Sequence, residues 1–244
     1  VTPDSFTDGG KFLDPNTAVN HAMDMIHNGA DIIDIGGEST RPFSDPISEE
    51  EELSRVISII QKIREKTNIA ISIDTTKSVV ADKACDVGAN IVNDISALSF
   101  DDSMINVVSK YECPIILMHM IGNPKTMQES PSYENIISEI INHLLDRASF
   151  ALKNGVKKHN IILDPGIGFG KTIDDNFTII NNIDKFTNLG YPVLIGASRK
   201  SFIGKTLDVD ENDRIEGTIA SNIIALDRGC KMFRVHDIKQ TKRA

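Results

Sequence analysis

The chain has 244 residues, with 26 Lys and Arg against 35 Asp and Glu, which gives a formal net charge of −9. This negative balance excludes a general affinity for nucleic acid or for anionic membranes, since both depend on Lys and Arg. Hydrophobic residues make up 40% of the chain and are spread along it, which excludes intrinsic disorder as its main state.

Seven short apolar runs rich in β-branched residues recur along the chain, and longer segments with helical periodicity lie between them. The nearly continuous apolar character of the runs is typical of strands that are buried on both faces. The predicted strands cover residues 30–35, 69–73, 90–95, 114–118, 160–163, 192–195 and 231–235.

Four amphipathic segments carry apolar side chains at helical spacing, and the first of them begins at a capping box formed by Ser48 and Glu51. The expected packing faces are Leu53, Val56, Ile57, Ile60 and Ile63; Tyr133, Ile136, Ile137, Ile140, Leu144 and Leu145; Phe177, Ile180, Ile183 and Phe186; and Ile215, Ile219, Ile223 and Leu226. A glycine just before a predicted strand indicates a helix end, and this occurs at residues 29, 88, 155, 190 and 229.

Strands that alternate with helices predict an all-parallel sheet, either an open doubly wound sheet or a closed (β/α)8 barrel. Polar residues stand at the C-terminal ends of nearly all predicted strands: Asp34, Asp74, Asn93, Asp94, His119, Asp164, Ser198, Arg234 and His236. In a barrel these ends converge on one mouth, whereas an open sheet would spread them along an edge. We therefore predict an α/β (β/α)8 TIM barrel, a single domain over residues 1–244. Its first strand would precede Val1, so we expect the domain to lack that strand and part of its last helix.

A glycine-rich loop follows the predicted strand 160–163. It matches neither common nucleotide motif, because a dinucleotide fingerprint would need Gly at Lys171 and a P-loop would need Gly at Pro165. The loop is either a tight turn or a place where backbone approaches a ligand beside Asp164. Asp164 and Asp74 are candidates for an acid/base pair, for metal ligands or for acceptors of a heterocycle's N–H groups.

Two further polar segments are predicted at the same mouth, and the first of them, residues 36–42, suits an anion or a polar aromatic acid. Residues 36–42 combine two glycines with hydroxyl groups and Arg41, although Glu38 and Arg41 could instead pair with each other at the surface. Residues 1–10 are turn-rich and are either a mobile loop over the mouth or a frayed terminus.

Basic side chains follow the last two predicted strands. Arg199 and Lys200 could bind a carboxylate or phosphate or form a solvated turn, and Lys200 could form a Schiff base if it were desolvated. Arg234 and His236 lie two residues apart on one side of a strand, an arrangement that suits a diphosphate clamp. His119, between two methionines, is more typical of a hydrogen-bonded core histidine.

The three cysteines, Cys85, Cys113 and Cys230, are far apart in apolar surroundings. Neither a disulfide framework nor a structural zinc site is indicated, and a reducing cytoplasm is the expected location. The sequence also contains no apolar run of about 18 residues, the length that a membrane span requires.

Taken together, the motifs at the polar strand ends resemble those of the dihydropteroate synthase family, the folate-pathway enzymes that sulfonamides target. The resemblance is specific because it rests on ordered motifs along the whole chain: residues 1–10, 36–42, 73–75, 92–95, 118–120, 164–171, 196–204 and 234–237. It implies a (β/α)8 barrel, usually a homodimer, that acts as a transferase. The implied reaction joins 6-hydroxymethyl-7,8-dihydropterin diphosphate to p-aminobenzoate and releases diphosphate with the help of Mg²⁺.

Carried over position by position, the resemblance assigns three groups of site residues. The pterin ring is assigned to Asp74, Asn93, Asp164 and Lys200, of which Asp74, Asp164 and Lys200 are the expected catalytic residues. The diphosphate is assigned to Thr40, Arg234 and His236. The p-aminobenzoate, for which sulfonamides compete, is assigned to Arg41, Pro42, Phe169 and Ser201.

Family enzymes lose diphosphate first, and the arylamine then attacks a resonance-stabilised pterin cation. Carboxylates near the cation and basic groups around the anion stabilise this separation of charge, so no residue needs to act covalently. The chain departs from the family pattern in two places. The family's metal-associated Asn would lie immediately before Val1, so no metal ligand is assigned in this chain. Phe43 stands where the family usually has Gly after Ser-Thr-Arg-Pro, so the resemblance does not predict that loop's shape.

Two other enzyme classes compete with this interpretation. The pterin-binding domain of a corrinoid-dependent methyltransferase shares the barrel, but it would lack the Ser-Thr-Arg-Pro loop and the Arg-Lys-Ser cluster. A Schiff-base aldolase would use Lys200, whose position in a loop beside Arg199 predicts exposure and not the desolvated setting that such a lysine needs.

Overall fold

Seven parallel β-strands follow one another in chain order in the computed structural model, which describes residues 15–244. They are β1 (Ile32–Gly36), β2 (Ala70–Asp74), β3 (Ile91–Asp94), β4 (Ile115–Met118), β5 (Ile161–Asp164), β6 (Leu194–Ile195) and β7 (Met232–Phe233). Strands β1 to β5 form one sheet, β6 and β7 form a second, and a parallel bridge between Leu163 and Val193 connects them. Each strand falls on one of the predicted apolar runs, so those predictions are confirmed.

Ten α-helices lie between and around these strands in the described residues. They are α1 (Pro15–His27), α2 (Glu49–Arg64), α3 (Ser78–Asp86), α4 (Met104–Tyr111), α5 (Ile136–Lys153), α6 (Ile173–Asn181), α7 (Ile183–Thr187), α8 (Ser201–Leu207), α9 (Ile215–Asp227) and α10 (Ile238–Arg243). None of these helices combines the length and the apolar character that crossing a membrane would require.

The predicted helix signals are mostly confirmed. The Ser48 side chain accepts a hydrogen bond from the Glu51 backbone N–H at 3.2 Å, as an N-cap does. The five glycines expected at helix ends all have φ between +77° and +119°. The third predicted apolar face is divided between α6 and α7, and its Phe177 is 42% exposed.

A layer of inward-facing side chains shows how the strands are arranged. Consecutive strands from β2 to β7 each contribute one residue to an apolar cluster that is separate from the main core: Ala70, Ile91, Ile116, Ile162, Leu194 and Met232. In an open sheet the residues from β2 and β7 would lie about 24 Å apart, at about 4.8 Å per strand, and would not share a cluster. The strands therefore curve round a common axis, which confirms the predicted barrel.

The two ends of the barrel wall meet through side chains. Within residues 15–244, β1 pairs with β2 and β7 pairs with β6, and no backbone pairing joins β7 to β1. Arg234, just after β7, reaches Asp34 of β1 instead. The predicted first strand would precede Val1 and, like the loop predicted at residues 1–10, it lies outside the described residues.

Helix α9 packs through a different face from the one predicted. The predicted face includes Ile223 and Leu226, but these side chains are 47% and 54% exposed. The buried residues of α9 are small or polar: Thr218, Ser221, Asn222 and Ala225. Gly217 lies so close to α8 that an added Cβ would meet Ile203 Cγ2 at 2.4 Å. Close packing on α8 therefore selects the small side chains, and Ile223 and Leu226 line the cavity beside β1 and β7 instead.

Candidate functional site

A cavity of about 670 Å³ lies beside β1 and β7 and extends from Ile32 and Met232, near the start of these strands, to the side chains at their C-terminal ends. Its polar wall comes from strands that are far apart in sequence: Asp34, Ser72, Asn93, Arg234 and His236. Because parallel strands of a barrel all point their C-terminal ends at one mouth, these side chains meet although they are scattered along the chain.

Arg234 lies between two carboxylates at this mouth. Its Nε donates to Asp34 Oδ2 at 2.7 Å, and its Nη2 lies 3.5 Å from Asp74 Oδ2. The charge of Asp34 is the main reason that the pKa of Arg234 is raised. Burial opposes ionisation of Asp34, but Arg234 still lowers the pKa of that carboxyl group. The sequence analysis placed Asp34 at a strand end but did not identify it as the partner of Arg234.

Asp74 and Asn93 stand next to each other, because their strands pair in a register that sets these two residues side by side. Both are buried, with exposed fractions of 6% and 7%. Burial, and then the negative charge of Asp34, raises the pKa of Asp74 to about 7. A carboxylate with such a pKa is typical of functional sites.

Asp164 ends β5 and is buried beside a tight turn. Its Oδ1 accepts a hydrogen bond from the Gly166 N–H at 2.7 Å. Burial raises its pKa to about 6, while the Gly166 N–H, Lys200 and other nearby cations act in the opposite direction. Gly166 has φ +71°, and an added Cβ would lie 2.0 Å from the His119 carbonyl oxygen, so the turn requires glycine here. The loop is therefore a tight turn, as the first alternative expected, and the approach of its backbone to a ligand stays a prediction.

Lys200 is partly buried, so the predicted exposure is wrong. Its Nζ lies 4.0 Å from the centroid of the Phe169 ring. Burial, and then the charge of Arg234, lowers the pKa of Lys200 to about 8. The neighbouring Arg199 turns away, because its backbone is left-handed (φ +55°) and its guanidinium donates two hydrogen bonds to Asp237. Arg199 is thus held by a carboxylate of this chain, and Lys200 is the cation that faces the mouth.

His236 is paired with a hydroxyl group. Its Nδ1 lies 3.0 Å from Ser198 Oγ, which also accepts a hydrogen bond from the His236 backbone N–H. Burial, followed by the charges of Arg234 and Arg199, lowers the pKa of His236 to about 4. The predicted diphosphate clamp therefore consists of one cation, Arg234, and one imidazole that is neutral at neutral pH.

The loop after β1 carries three of the predicted residues, Thr40, Arg41 and Pro42, to the rim. Thr40 is half-buried and lines a small cleft that Asp74 also lines. Arg41 is 55% exposed and its Nη2 lies 3.4 Å from Glu211, so the suggested pairing with Glu38 is wrong. Pro42 and Ser201, the first residue of α8, are both exposed.

Phe43 adopts φ +67°, a left-handed conformation that costs a non-glycine residue roughly 1–2 kcal/mol. Its backbone N–H donates to the Pro124 carbonyl at 3.0 Å. The loop therefore has a glycine-type backbone at Phe43, the position where the resemblance expects Gly.

A buried ion cluster that the sequence analysis missed anchors the same loop. Lys77 Nζ lies 2.5 Å from Glu38 Oε2 and 2.6 Å from Glu52 Oε2. Glu38 also accepts a hydrogen bond from the Ile47 N–H, at the far end of the loop. Glu52 has an exposed fraction of 0% although it belongs to the acidic first turn of a helix, where solvent exposure would be expected.

Two polar residues at strand ends, Asp94 and His119, form hydrogen bonds with other groups of the protein. Asp94 accepts hydrogen bonds from the Ser96 and Leu98 N–H groups at 2.8 Å each. His119 is 6% exposed, and its Nδ1 lies 3.1 Å from Lys171 Nζ, so the expectation of a core histidine is confirmed.

Residues 15–244 do not by themselves form a metal site. No group of three or more His, Cys, Asp or Glu side chains in this range is placed to hold a metal ion. Of the carboxylates at the mouth, Asp34 and Asp74 are both engaged by Arg234, and Asp164 accepts from the Gly166 N–H. No chemical step is therefore assigned to a metal.

Known proteins are similar to this chain both in sequence and in structure. The family model described as "Pterin binding enzyme" matches residues 1–236. A dihydropteroate synthase of Clostridium beijerinckii is 49% identical over 244 residues, which cover 100% of this chain and 88% of that protein. The Yersinia pestis dihydropteroate synthase, solved as a complex with a sulfonamide drug, has a TM-score of 0.95 and 37% identity, covering 100% and 88% of the two chains.

A structure of the Xanthomonas albilineans dihydropteroate synthase with 4-aminobenzoic acid has a TM-score of 0.92 and 37% identity, covering 100% and 87% of the two chains. Similarity to synthases along the whole chain decides against the corrinoid-methyltransferase domain and the Schiff-base aldolase. The chain belongs to the dihydropteroate synthase family of pterin-binding enzymes, transferases of folate biosynthesis that condense 6-hydroxymethyl-7,8-dihydropterin diphosphate with p-aminobenzoate to give 7,8-dihydropteroate and diphosphate.

Proposed function

We propose that the mouth of the barrel is the active site and that Asp74, Asn93, Asp164 and Lys200 bind the pterin ring there. The observation that carries this assignment is the buried Asp164 carboxylate, whose pKa is influenced by both Lys200 and Arg234. A pterin presents two adjacent donors, its 2-amino group and its N3–H, and one carboxylate accepts both. Asp164 suits this role because only its Oδ1 is used by the Gly166 turn.

The diphosphate lies at Arg234, with Thr40 and His236 beside it. Arg234 keeps its charge because two carboxylates stabilise the guanidinium, and a guanidinium binds phosphate oxygens with two parallel hydrogen bonds. The neutral imidazole of His236 contributes hydrogen bonding and no charge.

The reaction uses the carboxylates on the pterin side of the site and the cation on the diphosphate side. The C–O bond to the diphosphate breaks and both electrons leave with the oxygen, which Arg234 stabilises. The carboxylates of Asp74 and Asp164 stabilise the pterin cation that remains. The arylamine nitrogen then forms the new C–N bond and loses a proton. Lys200 binds the pterin and faces the Phe169 ring, and no side chain forms a covalent intermediate.

The p-aminobenzoate lies at the rim, between Phe169, Ser201 and the exposed loop residues Arg41 and Pro42. Arg41 is close enough to Lys200 for its charge to lower the pKa of that lysine. Structures similar to this chain hold 4-aminobenzoic acid and a sulfonamide drug, which supports p-aminobenzoate as the second substrate and sulfonamides as its competitors.

Activity tests this assignment directly. We expect diphosphate release that requires both pterin diphosphate and p-aminobenzoate, that a sulfonamide inhibits competitively with p-aminobenzoate, and that EDTA abolishes until Mg²⁺ is restored. The Mg²⁺ requirement rests on the family resemblance and on the preference of this ion for carboxylate and phosphate oxygens. Diphosphate release with pterin diphosphate alone, at the same rate, would contradict the proposed transferase reaction.

A cytoplasmic location is proposed because all three cysteines are buried free thiols.

A homodimer is supported by the outward face of α9. Ile224 of α9 is 44% exposed and Leu207 of the neighbouring α8 is 50% exposed, and large exposed apolar side chains are typical of an interface. We expect Ile224→Lys to shift the protein from dimer to monomer in sedimentation velocity, while Asp86→Lys, an exposed change on α3, leaves it unchanged. A dimer that persists in Ile224→Lys at the same concentration would place the interface elsewhere.

A further inference from the structure

Lys171 is a fully enclosed lysine that the proposed reaction does not use. Its exposed fraction is 4%, and it lies between the glycine-rich loop after β5 and the Thr172 cap of α6. Its Nζ donates to the Phe169 carbonyl at 2.9 Å and to the His119 carbonyl at 3.3 Å. The third neighbour is His119 Nδ1 at 3.1 Å.

Burial lowers the pKa of Lys171 to about 7, and in its protonated form its three donors match these three acceptors. His119 Nδ1 accepts a hydrogen bond when the imidazole is neutral and its proton is on Nε2, and burial lowers the pKa of His119 to about 2. None of the three acceptors carries a negative charge. Every N–H of Lys171 is thus directed at a protein atom, and the geometry leaves no N–H for a substrate.

The hydrogen bonds of Lys171 join the end of β4 to the loop after β5. Two other contacts hold the same junction: the His119 N–H donates to the Asp164 carbonyl at 2.9 Å, and Gly166 packs directly on the His119 carbonyl. Both of those contacts involve the first half of the loop. In the second half, the glycines that flank Phe169 are hydrogen-bonded by Gln128, Asn176 and Tyr133. Lys171 holds the carbonyl of Phe169 itself.

The position of Phe169 matters because its ring lies 4.0 Å from Lys200 Nζ. Glycines flank Phe169 on both sides, at φ +81° and +64°, so the hydrogen bond from Lys171 acts on the one residue of this stretch that carries a side chain. Gly168 also lies so close to Lys200 that an added Cβ would be 2.9 Å from Lys200 Cδ. A small shift of the loop would therefore move the Phe169 ring relative to Lys200.

We propose that Lys171 is a positioning residue, whose side-chain nitrogen fixes the backbone of Phe169 and thereby shapes the p-aminobenzoate side of the site. The inference rests on the proposed assignment of Phe169 to p-aminobenzoate. It separates two halves of one loop: Asp164 and Gly166 serve the pterin, and Lys171 and Phe169 serve the arylamine.

Steady-state kinetics of Lys171→Met test this role, since methionine keeps the length of the side chain and removes its donors. We expect the KM for p-aminobenzoate to rise at least tenfold and the KM for pterin diphosphate to change less than threefold. Lys171→Arg, which restores a charged donor, should recover most of the loss. Lys153→Met, at the exposed end of α5, is the matched control and should behave like the parent.

A double-mutant cycle shows whether Lys171 acts through Phe169. In a Phe169→Ala background, Lys171→Met should raise the KM for p-aminobenzoate by less than twofold, because the ring that it positions is gone. Full additivity, or an equal rise in both KM values, would overturn the inference. If Lys171→Met does not fold, Lys171→Gln provides the same comparison, and unfolding of both variants would make Lys171 a stability residue and refute the proposal. A parent enzyme without two-substrate turnover would instead refute the proposed function.

Discussion

Asp164→Asn is expected to reduce pterin affinity by one to two orders of magnitude while the fold stays intact. Asparagine has nearly the same shape as aspartate, but it offers one acceptor and one donor. Its NH₂ would face an N–H of the pterin and leave a buried donor unpaired, at a cost of about 1–3 kcal/mol. The lost carboxylate would also have stabilised the pterin cation, so turnover should fall further than affinity. Calorimetry, turnover and thermal melting measure the three effects.

The pH dependence of pterin binding provides a control for this substitution. Burial raises the pKa of Asp164 to about 6, so the parent should lose pterin affinity as the pH falls through this value and the carboxylate is protonated. Asp164→Asn should lack that titration, whereas Asp227→Asn, an exposed change in α9, should retain it. Unchanged pterin affinity in Asp164→Asn would refute the assignment, and a collapsed melting temperature would show that Asp164 is structural.

Arg234→Ala is expected to weaken binding of pterin diphosphate by roughly ten- to a hundredfold while binding of the pterin alcohol changes little. A charge-assisted hydrogen bond contributes about 1.5–3 kcal/mol, and only the diphosphate ester offers phosphate oxygens to the guanidinium. The alcohol presents the same pterin ring to Asp164. The difference between the two ligands, measured by calorimetry, therefore isolates the contribution of the diphosphate.

Stability complicates this substitution, since Arg234 also neutralises Asp34 and Asp74. Arg234→Lys keeps a positive charge there but loses the planar pair of donors, so it should fold normally and show an intermediate loss of diphosphate affinity. Arg243→Ala, an exposed change in the last helix, should bind both ligands as the parent does. An equal loss for both ligands in Arg234→Ala and Arg234→Lys would place the diphosphate elsewhere.

Features that depend only on residues close together in the sequence could be predicted from it. The apolar runs predicted all seven described strands, because a strand buried on both faces needs continuous apolar side chains wherever it lies. Glycines predicted five helix ends, because the left-handed backbone there disfavours other residues. The order of polar motifs at the strand ends also indicated the barrel and the family, since each motif marks one position round the same mouth.

Tertiary structure alone decided which of these polar residues meet. Arg234 pairs with Asp34 and Asp74, which precede it by 200 and 160 residues, and Lys171 contacts His119 across 52 residues. No local pattern encodes such pairs. The protonation of the site depends on them, because a pKa responds to burial and to charges within a few ångströms in space.

The sequence by itself thus determined the elements, their order and the family, while the tertiary structure decided burial and orientation. Lys200 follows a cation in a loop, which predicted exposure, yet the loops around the mouth bury it and lower its pKa to about 8. Periodicity likewise showed that α9 has an aliphatic face, but close contact at Gly217 turns its small residues inwards. The reason is the same in both cases: solvent exposure is set by what packs against a residue, and that neighbour comes from a distant part of the chain.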